Sequence, residues 1–486
     1  MAFYTFFDHP ILFLPALLLG TIAGFLLLLG LVRRFLLSFR SPIQTPPYLL
    51  QFPPSRRHVL ARLPQFEKWA LQPEIPLSVL SSQAIPTTVT PDLSKDNQYT
   101  PTGFATQEIR ALGRFPNYAL LSGVPNPEPV SPMWDISKAL FRPFRPFRWN
   151  YHQHMALMKY SPDWWVELER NYVPTMRVRQ QLLAQHGSRI LFQSAGAELA
   201  VRELAEMLLQ FLAARYPAHF SLSASSASAS DNALFHNRLL GTTTNLAITP
   251  PLRAIFANIP EDYALMLRSE SDGLYYLRAA AVCSSVGWHV AQHRDAPLRS
   301  IHADVPGAGR MAMSMDRWFA KVATDAPVMR CSWSLEDGEV LFASPEAEAE
   351  EGREWRRGRF VGGREDELGV EDIRLRCDAQ TLRRLPISGA VAFNFKATFT
   401  RLEELRDEAF VPALLHKVLT EGKGEMVEYK VEKHVKKVAV KALEEWAAEQ
   451  VEDGLVPADW EVGTLDESPF FPGWEEKWRR QQQGLE

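Results

Sequence analysis

The chain has 486 residues, with 53 Lys and Arg against 57 Asp and Glu and 46% hydrophobic residues, an ordinary globular balance. Its net charge of −4 removes the basic footprint that binding nucleic acid through phosphate neutralisation requires, so no nucleic-acid partner is expected. Three well-separated cysteines, Cys283, Cys331 and Cys377, supply neither a disulfide framework nor paired CxxC zinc ligands, and they fit a reducing compartment.

Residues 1–9 read as a short lumenal or outer end, followed by an uncharged apolar run from Pro10 to Val32. At about 1.5 Å per helical residue, this run exceeds a hydrocarbon core of roughly 30 Å and predicts one transmembrane anchor. Asp8 precedes the run, and Arg33, Arg34 and Arg40 follow it. That asymmetry predicts a single-pass membrane protein, with the endoplasmic reticulum as the expected membrane and the C-terminal body in the cytosol. Residues 33–135 read as a Pro-rich linker and irregular lead-in, because proline fixes φ and stops helices. The main domain is expected over 136–430, with disordered loops near 221–232 and 345–367, and a charged helical extension over 431–486.

Within the domain, Val201, Leu204, Leu208, Phe211 and Leu212 recur at three- and four-residue spacing, predicting an amphipathic helix over 198–215. Four later stretches read as strands. YYLRAAAVC at 275–283 is one. In VMRCSWSL, Met329, Cys331, Trp333 and Leu335 oppose Arg330, Ser332 and Ser334. In IRLRC, Ile373, Leu375 and Cys377 oppose two arginines, and in VAFNFKATF, Val391, Phe393, Phe395 and Phe399 oppose Asn394, Lys396 and Thr398. Helices early and strands late argue an α+β fold with an antiparallel sheet of at least four strands. The stretch from Glu425 to Glu452 reads as one helix with Val431, Val435, Val438, Ala442 and Trp446 on one face.

Several kinds of chemistry are excluded. A thiolate-ligated haem site needs a cysteine in a Gly-flanked loop, and none of the three has such surroundings. Walker A and G-x-G-x-x-G sequences are absent, so the chain carries no nucleotide fingerprint of its own. His289 and His293 stand four apart without the glutamate of a zinc protease motif, and His152 and His154 have no evident third ligand. FRPFRPFR at 141–148 interleaves Phe with Arg and reads first as packing with exposed cations.

Four blocks then share one resemblance: MALMKYSPDWWVELERNY at 155–172, PEDYALM at 260–266, GWHVAQHRDAPLRSIHADVPG at 287–307 and TLRRLPISGAVAFNF at 381–395. Together, in order and spacing, the chain resembles the haem-dependent oxidative N-demethylase-like family, above all its fungal HRQ members. The resemblance implies a PAS-like antiparallel sheet with flanking helices around one haem b. It also implies oxidative demethylation of a small amine with O2, with electrons from an external NAD(P)H-dependent reductase. On the matching residues, His302 is implied as the iron ligand, Arg330 as a haem propionate partner, Trp333 as pocket wall, and Glu261 and Asp262 as an acidic catalytic pair. Asp378, Ala379 and Gln380 depart from the E-R-Q of bacterial relatives. A non-enzymatic haem-PAS sensor and a membrane-tethered interaction protein are the alternative readings.

Overall fold

The alternating stretches pair with one another, and their pairing sets the architecture. The computed structural model describes residues 49–50, 52–60, 92–96, 98–150, 155–223, 233–269, 271–343, 354–356, 359–361 and 368–484. Its strands are β1 (Met158–Lys159), β2 (Leu191–Gln193), β3 (Phe220–Ser223), β4 (Leu234–Asn237), β5 (Thr242–Asn245), β6 (Asp262–Arg268), β7 (Tyr275–Ala281), β8 (Val328–Asp337), β9 (Glu354–Arg356), β10 (Arg359–Val361), β11 (Ile373–Arg384) and β12 (Val391–Arg401). Seven of them form one sheet in the order β1-β8-β11-β12-β6-β7-β2, antiparallel throughout. The turn closing β11 onto β12 needs Gly389, at φ +72°, where an added Cβ would lie 3.2 Å from Pro101 Cβ.

Side chains in register across neighbouring strands share a face, so the pairing divides the sheet cleanly. Tyr263, Asn394, Thr381 and Met329 stand in one row, and Asp262, Phe395, Gln380 and Arg330 stand in the adjacent row on the opposite face. The first face carries two cores. One joins Tyr263, Leu265 and Leu267 to helices α1 (Tyr172–His186), α2 (Glu198–Arg215) and α3 (Pro251–Asn258). All five apolar residues expected on one side of α2 are buried there, each contributing on the order of 1.5–3 kcal/mol. The other core joins Cys331, Trp333, Leu335, Leu375 and Cys377 to the helices that follow the sheet. The second face packs Ala264, Met266, Leu277, Leu382 and Phe393 toward helix α4 (Ala308–Lys321), which contributes Phe319.

After β12 come α5 (Val411–Glu421), α6 (Gly424–Lys430), α7 (Lys433–Glu452) and α8 (Trp474–Gln483). The single helix expected from Glu425 is two, because Val431 leaves the helix to form a parallel bridge with Leu335 of β8. Val435, Ala442 and Trp446 are buried as the pattern implied. The FRPFRPFR segment does pack. Arg145 makes a two-pronged buried ion pair with Glu408 at 2.6 and 2.7 Å, and Phe144 stacks on Phe470, which stacks on Trp474.

The expected fold class needs one correction. The α+β antiparallel sheet is present, but among the described residues no helix is long and apolar enough to cross a membrane, so a transmembrane helix is not part of the observed fold. The run at 10–32 lies outside the described residues, as do His152, His154, most of 221–232 and most of 345–367. Ser221–Ser223 belong to β3, and short helices at Thr106–Leu112 and Tyr118–Ser122 lie within the expected lead-in.

Candidate functional site

A cavity of about 760 Å³ opens between the second face of the sheet and the segment 287–319. Its floor is Ala264, Met266, Leu277, Leu382, Phe393 and Phe395, and its cover includes Met311, Met315, Trp318 and Phe319. The cover is anchored at both ends. Gly307, at φ +77°, turns the chain into α4. Arg384 of β11 donates through Nε to the Val322 carbonyl at 2.7 Å and also binds that of Phe319, satisfying carbonyls at the helix C-terminus.

His302 lines this cavity from the turn between the short helix Leu298–Ile301 and Gly307. Its Nδ1 lies 3.0 Å from the Leu298 carbonyl. A carbonyl only accepts, so Nδ1 carries the proton and Nε2 keeps its lone pair. Burial, chiefly, holds the imidazole pKa below its ordinary value, with Arg330 adding to the effect, so the ring is neutral at physiological pH. This is the state and tautomer a metal ligand needs, and the orienting acceptor is a backbone carbonyl that no residue pattern announces.

Arg330 also borders the cavity, from β8. Its Nε is buried without a hydrogen-bond partner, and burial lowers its pKa, yet a guanidinium remains charged near neutrality. Beside it in the row, Gln380 of β11 borders the same space, and its Oε1 is likewise buried without a partner. Trp333 touches the cavity boundary, but its ring sits in the core on the first face, edge-to-face with Phe147 at 5.2 Å. The apolar half of the β8 alternation therefore faces the C-terminal helices, and the polar half, Arg330 and Ser332, faces the cavity.

The two acidic residues sit elsewhere. Neither Glu261 nor Asp262 is among the cavity-bordering residues. Asp262 accepts from the Cys283 and Ser284 amides at 2.9 and 2.8 Å and pairs with Arg179. Glu261 lies on the other side of the sheet, accepting from the Glu167 amide at 2.9 Å and from Asn394. Burial pushes its pKa up to about 7 against the pull of Lys396. His293 does border the cavity, and burial followed by the nearby His302 lowers its pKa. Lys430, at the end of α6, borders it as well and donates to Ser332 Oγ at 2.8 Å.

These parts define a class: an α+β protein whose antiparallel sheet and helical cover enclose a mixed cavity with one oriented imidazole and one buried, unpaired guanidinium. Residues 156–440 match the family model described as haem-dependent oxidative N-demethylase, alpha subunit-like, and the chain belongs to that family. The residues present fit the haem that the family name implies. The volume falls within the roughly 300–1,000 Å³ of cofactor sites, the walls are mostly apolar, and a neutral imidazole and a guanidinium, the groups that suit a metal and an anion, both border it. Among the described residues no cluster of three or more His, Cys, Asp or Glu is arranged to hold a metal ion by side chains alone, whereas haem iron needs only one or two protein ligands.

Proposed function

We propose that the chain is a haem b enzyme that removes a methyl group from a small secondary amine, with O2 as oxidant and electrons from an NAD(P)H-dependent partner reductase. In the net reaction one methylamine group and O2, with two electrons and two protons, become the demethylated amine, formaldehyde and water. The observation that carries the reading is His302: Nδ1–H is held by Leu298 O at 3.0 Å, and the lone pair on Nε2 belongs to a ring on the cavity wall. His302 Nε2 would ligate the iron and Arg330 would bind a propionate through charge-assisted hydrogen bonds. A haem bound there would supply O2 activation and one-electron chemistry. Met311, Met315, Trp318 and Phe319 supply an apolar cover that limits water at the reacting amine. The need for a reductase rests on the chain's lack of a flavin or nicotinamide fingerprint.

The test uses purified full-length chain loaded with haem. We expect a Soret band, and formaldehyde release from dimethylamine only when a reductase and NAD(P)H are supplied. A folded chain without a Soret band, or steady turnover with NADPH and O2 alone, overturns the corresponding part of the reading.

A further inference from the structure

Helix α7 carries its charges in an order that its own stability does not ask for. From Lys430 to Lys441 five lysines stand against one glutamate, and from Glu444 to Asp453 five acids stand with no lysine or arginine, in a chain of net charge −4. A helix macrodipole favours acids in the first turn and bases in the last, and α7 has neither. Nor does the fold claim the lysines. Among the described residues Lys433, Lys436 and Lys437 form no ion pair, and Lys441 meets Glu445 only at 4.0 Å with both side chains largely exposed. Glu432, at the N-cap, lies 3.4 Å from His434 instead. Lys433, Lys437 and Lys441 recur every four residues on the solvent side, opposite the buried Val435, Ala439 and Leu443. At 1.5 Å per residue they make a stripe about 12 Å long.

The stripe starts at the cavity. Tyr429 and Lys430 border that space, Lys430 donates to Ser332 Oγ of β8 at 2.8 Å, and Val431 bridges Leu335 of the same strand. The first turn of α7 is thereby held beside the cavity wall. We infer that this lysine stripe is the docking surface for the electron donor, a protein that presents acidic side chains around a flavin. The inference rests on the haem reading for the identity of the partner. Nicotinamide gives up two electrons as a hydride and haem iron takes one at a time, so a flavin must stand between them. In each encounter one electron passes from the reduced flavin to ferric haem, which leaves the flavin oxidised by one electron and the iron ferrous. The donor must therefore approach the cavity, leave and return, which suits a small contact guided by charge more than a large apolar one. An anionic lipid surface fits less well, because the apolar side of α7 is spent on the core and none is left to enter a bilayer.

The experiment uses the full-length chain and, as probe, an acidic flavodoxin. Wild type is compared with the double variant Lys433→Glu, Lys437→Glu and with a control of equal charge change, Lys138→Glu, Arg253→Glu, at exposed positions elsewhere. Glutamates in the first turn agree with the macrodipole, so the helix should hold, and circular dichroism checks it. Two readouts are taken. Fluorescence anisotropy of oxidised flavodoxin gives the affinity and needs no haem in the chain. Stopped-flow absorption gives the rate at which reduced flavodoxin reduces the haem-loaded chain, with dithionite as the small-molecule comparison. We expect the stripe variant to lose roughly tenfold or more in both affinity and rate, while the control stays near wild type. Dithionite reduction should be unchanged, and the wild-type flavodoxin rate should fall as salt rises. Equal losses in variant and control overturn the inference, as does a wild type that does not bind flavodoxin or whose rate ignores salt. Vesicles of phosphatidylserine serve as the other arm: binding to them that the stripe variant loses, with flavodoxin binding unaltered, assigns the lysines to lipid and overturns the docking surface. A chain without a Soret band sinks the haem reading alone, and the anisotropy then decides the stripe.

Discussion

The two faces of the sheet meet different surroundings, solid core on one and a cavity on the other. On the face that packs into solid core, Arg145 meets Glu408 in a two-pronged pair and Glu261 is bonded by the Glu167 amide and Asn394, while Arg383 Nε and the Tyr263 hydroxyl are buried without a partner. On the cavity face, Arg330 Nε and Gln380 Oε1 have no partner, and His302 is oriented through one nitrogen only. Unpartnered buried atoms occur on both faces, so the cavity face is set apart by the open space beside its polar side chains and not by their lack of partners. The contrast also shows why an acidic pair in a matching motif is a weak guide to a site: Glu261 and Asp262 point to different faces, and Asp262 is occupied by Arg179, Cys283 and Ser284.

The sharpest break of this comparison is His302→Ala. It should abolish or strongly shift the haem absorption spectrum while far-ultraviolet circular dichroism stays native, because the ring's one hydrogen bond is to a local carbonyl. An unchanged Soret maximum would refute the ligand assignment.

On the core face, Arg145→Met should destabilise the chain by about 3 kcal/mol in urea unfolding, since it leaves the buried Glu408 carboxylate with Lys477 at 3.2 Å as its one remaining cation. The double substitution with Glu408→Leu should recover much of that loss. If the single change costs nothing, the pair does not hold the segment as the structure implies.

A third expectation concerns Glu203, which lies in α2 and accepts the Ile387 and Ser388 amides at 2.6 and 2.8 Å. Burial raises its pKa to about 7. The folded state therefore holds the proton more tightly than the unfolded state, and the stability this adds is fully present below pH ~4.5 and is lost as pH rises toward 7, by up to about 3 kcal/mol. In Glu203→Gln this pH dependence should flatten when unfolding is followed from pH 5 to 8, and identical slopes in the two proteins would contradict the assignment.

The smallest effect should come from His293→Ala. It borders the cavity but is partly exposed, so haem affinity should fall only a few-fold and the Soret band should move less than in His302→Ala. A larger change than in His302→Ala would exchange the two roles.

Much of this was legible in the sequence because periodicity reports faces directly. The alternation in β8, β11 and β12 and the spacing in α2 each predicted the observed element. Which face meets a cavity is not written in alternation. Trp333, implied as pocket wall, touches the cavity boundary while its ring packs in the core with α5 and α7, and Arg330 on the other side of β8 borders the cavity. His302 was reached through a motif, and its orienting partner, a backbone carbonyl, has no residue signature. His293, Gln380 and Lys430 join the site only through tertiary contacts. The break at Val431 escaped helical periodicity because a bridge to a strand almost a hundred residues earlier causes it.

The stacked Phe144, Phe470 and Trp474 carry a practical consequence for anyone trimming the gene. The family match ends at residue 440 and begins at 156, so both sides of this stack fall outside it. A fragment cut to those limits would lose Phe144, Phe147 and Phe471 from the core and half of α7 with them. It would also leave Glu408 buried without Arg145. The smallest piece worth expressing therefore starts before Phe104, which with Ile109, Tyr118, Leu121 and Val124 belongs to the core around α2, and runs beyond Trp478, whose Nε1 donates to the Leu140 carbonyl at 2.9 Å.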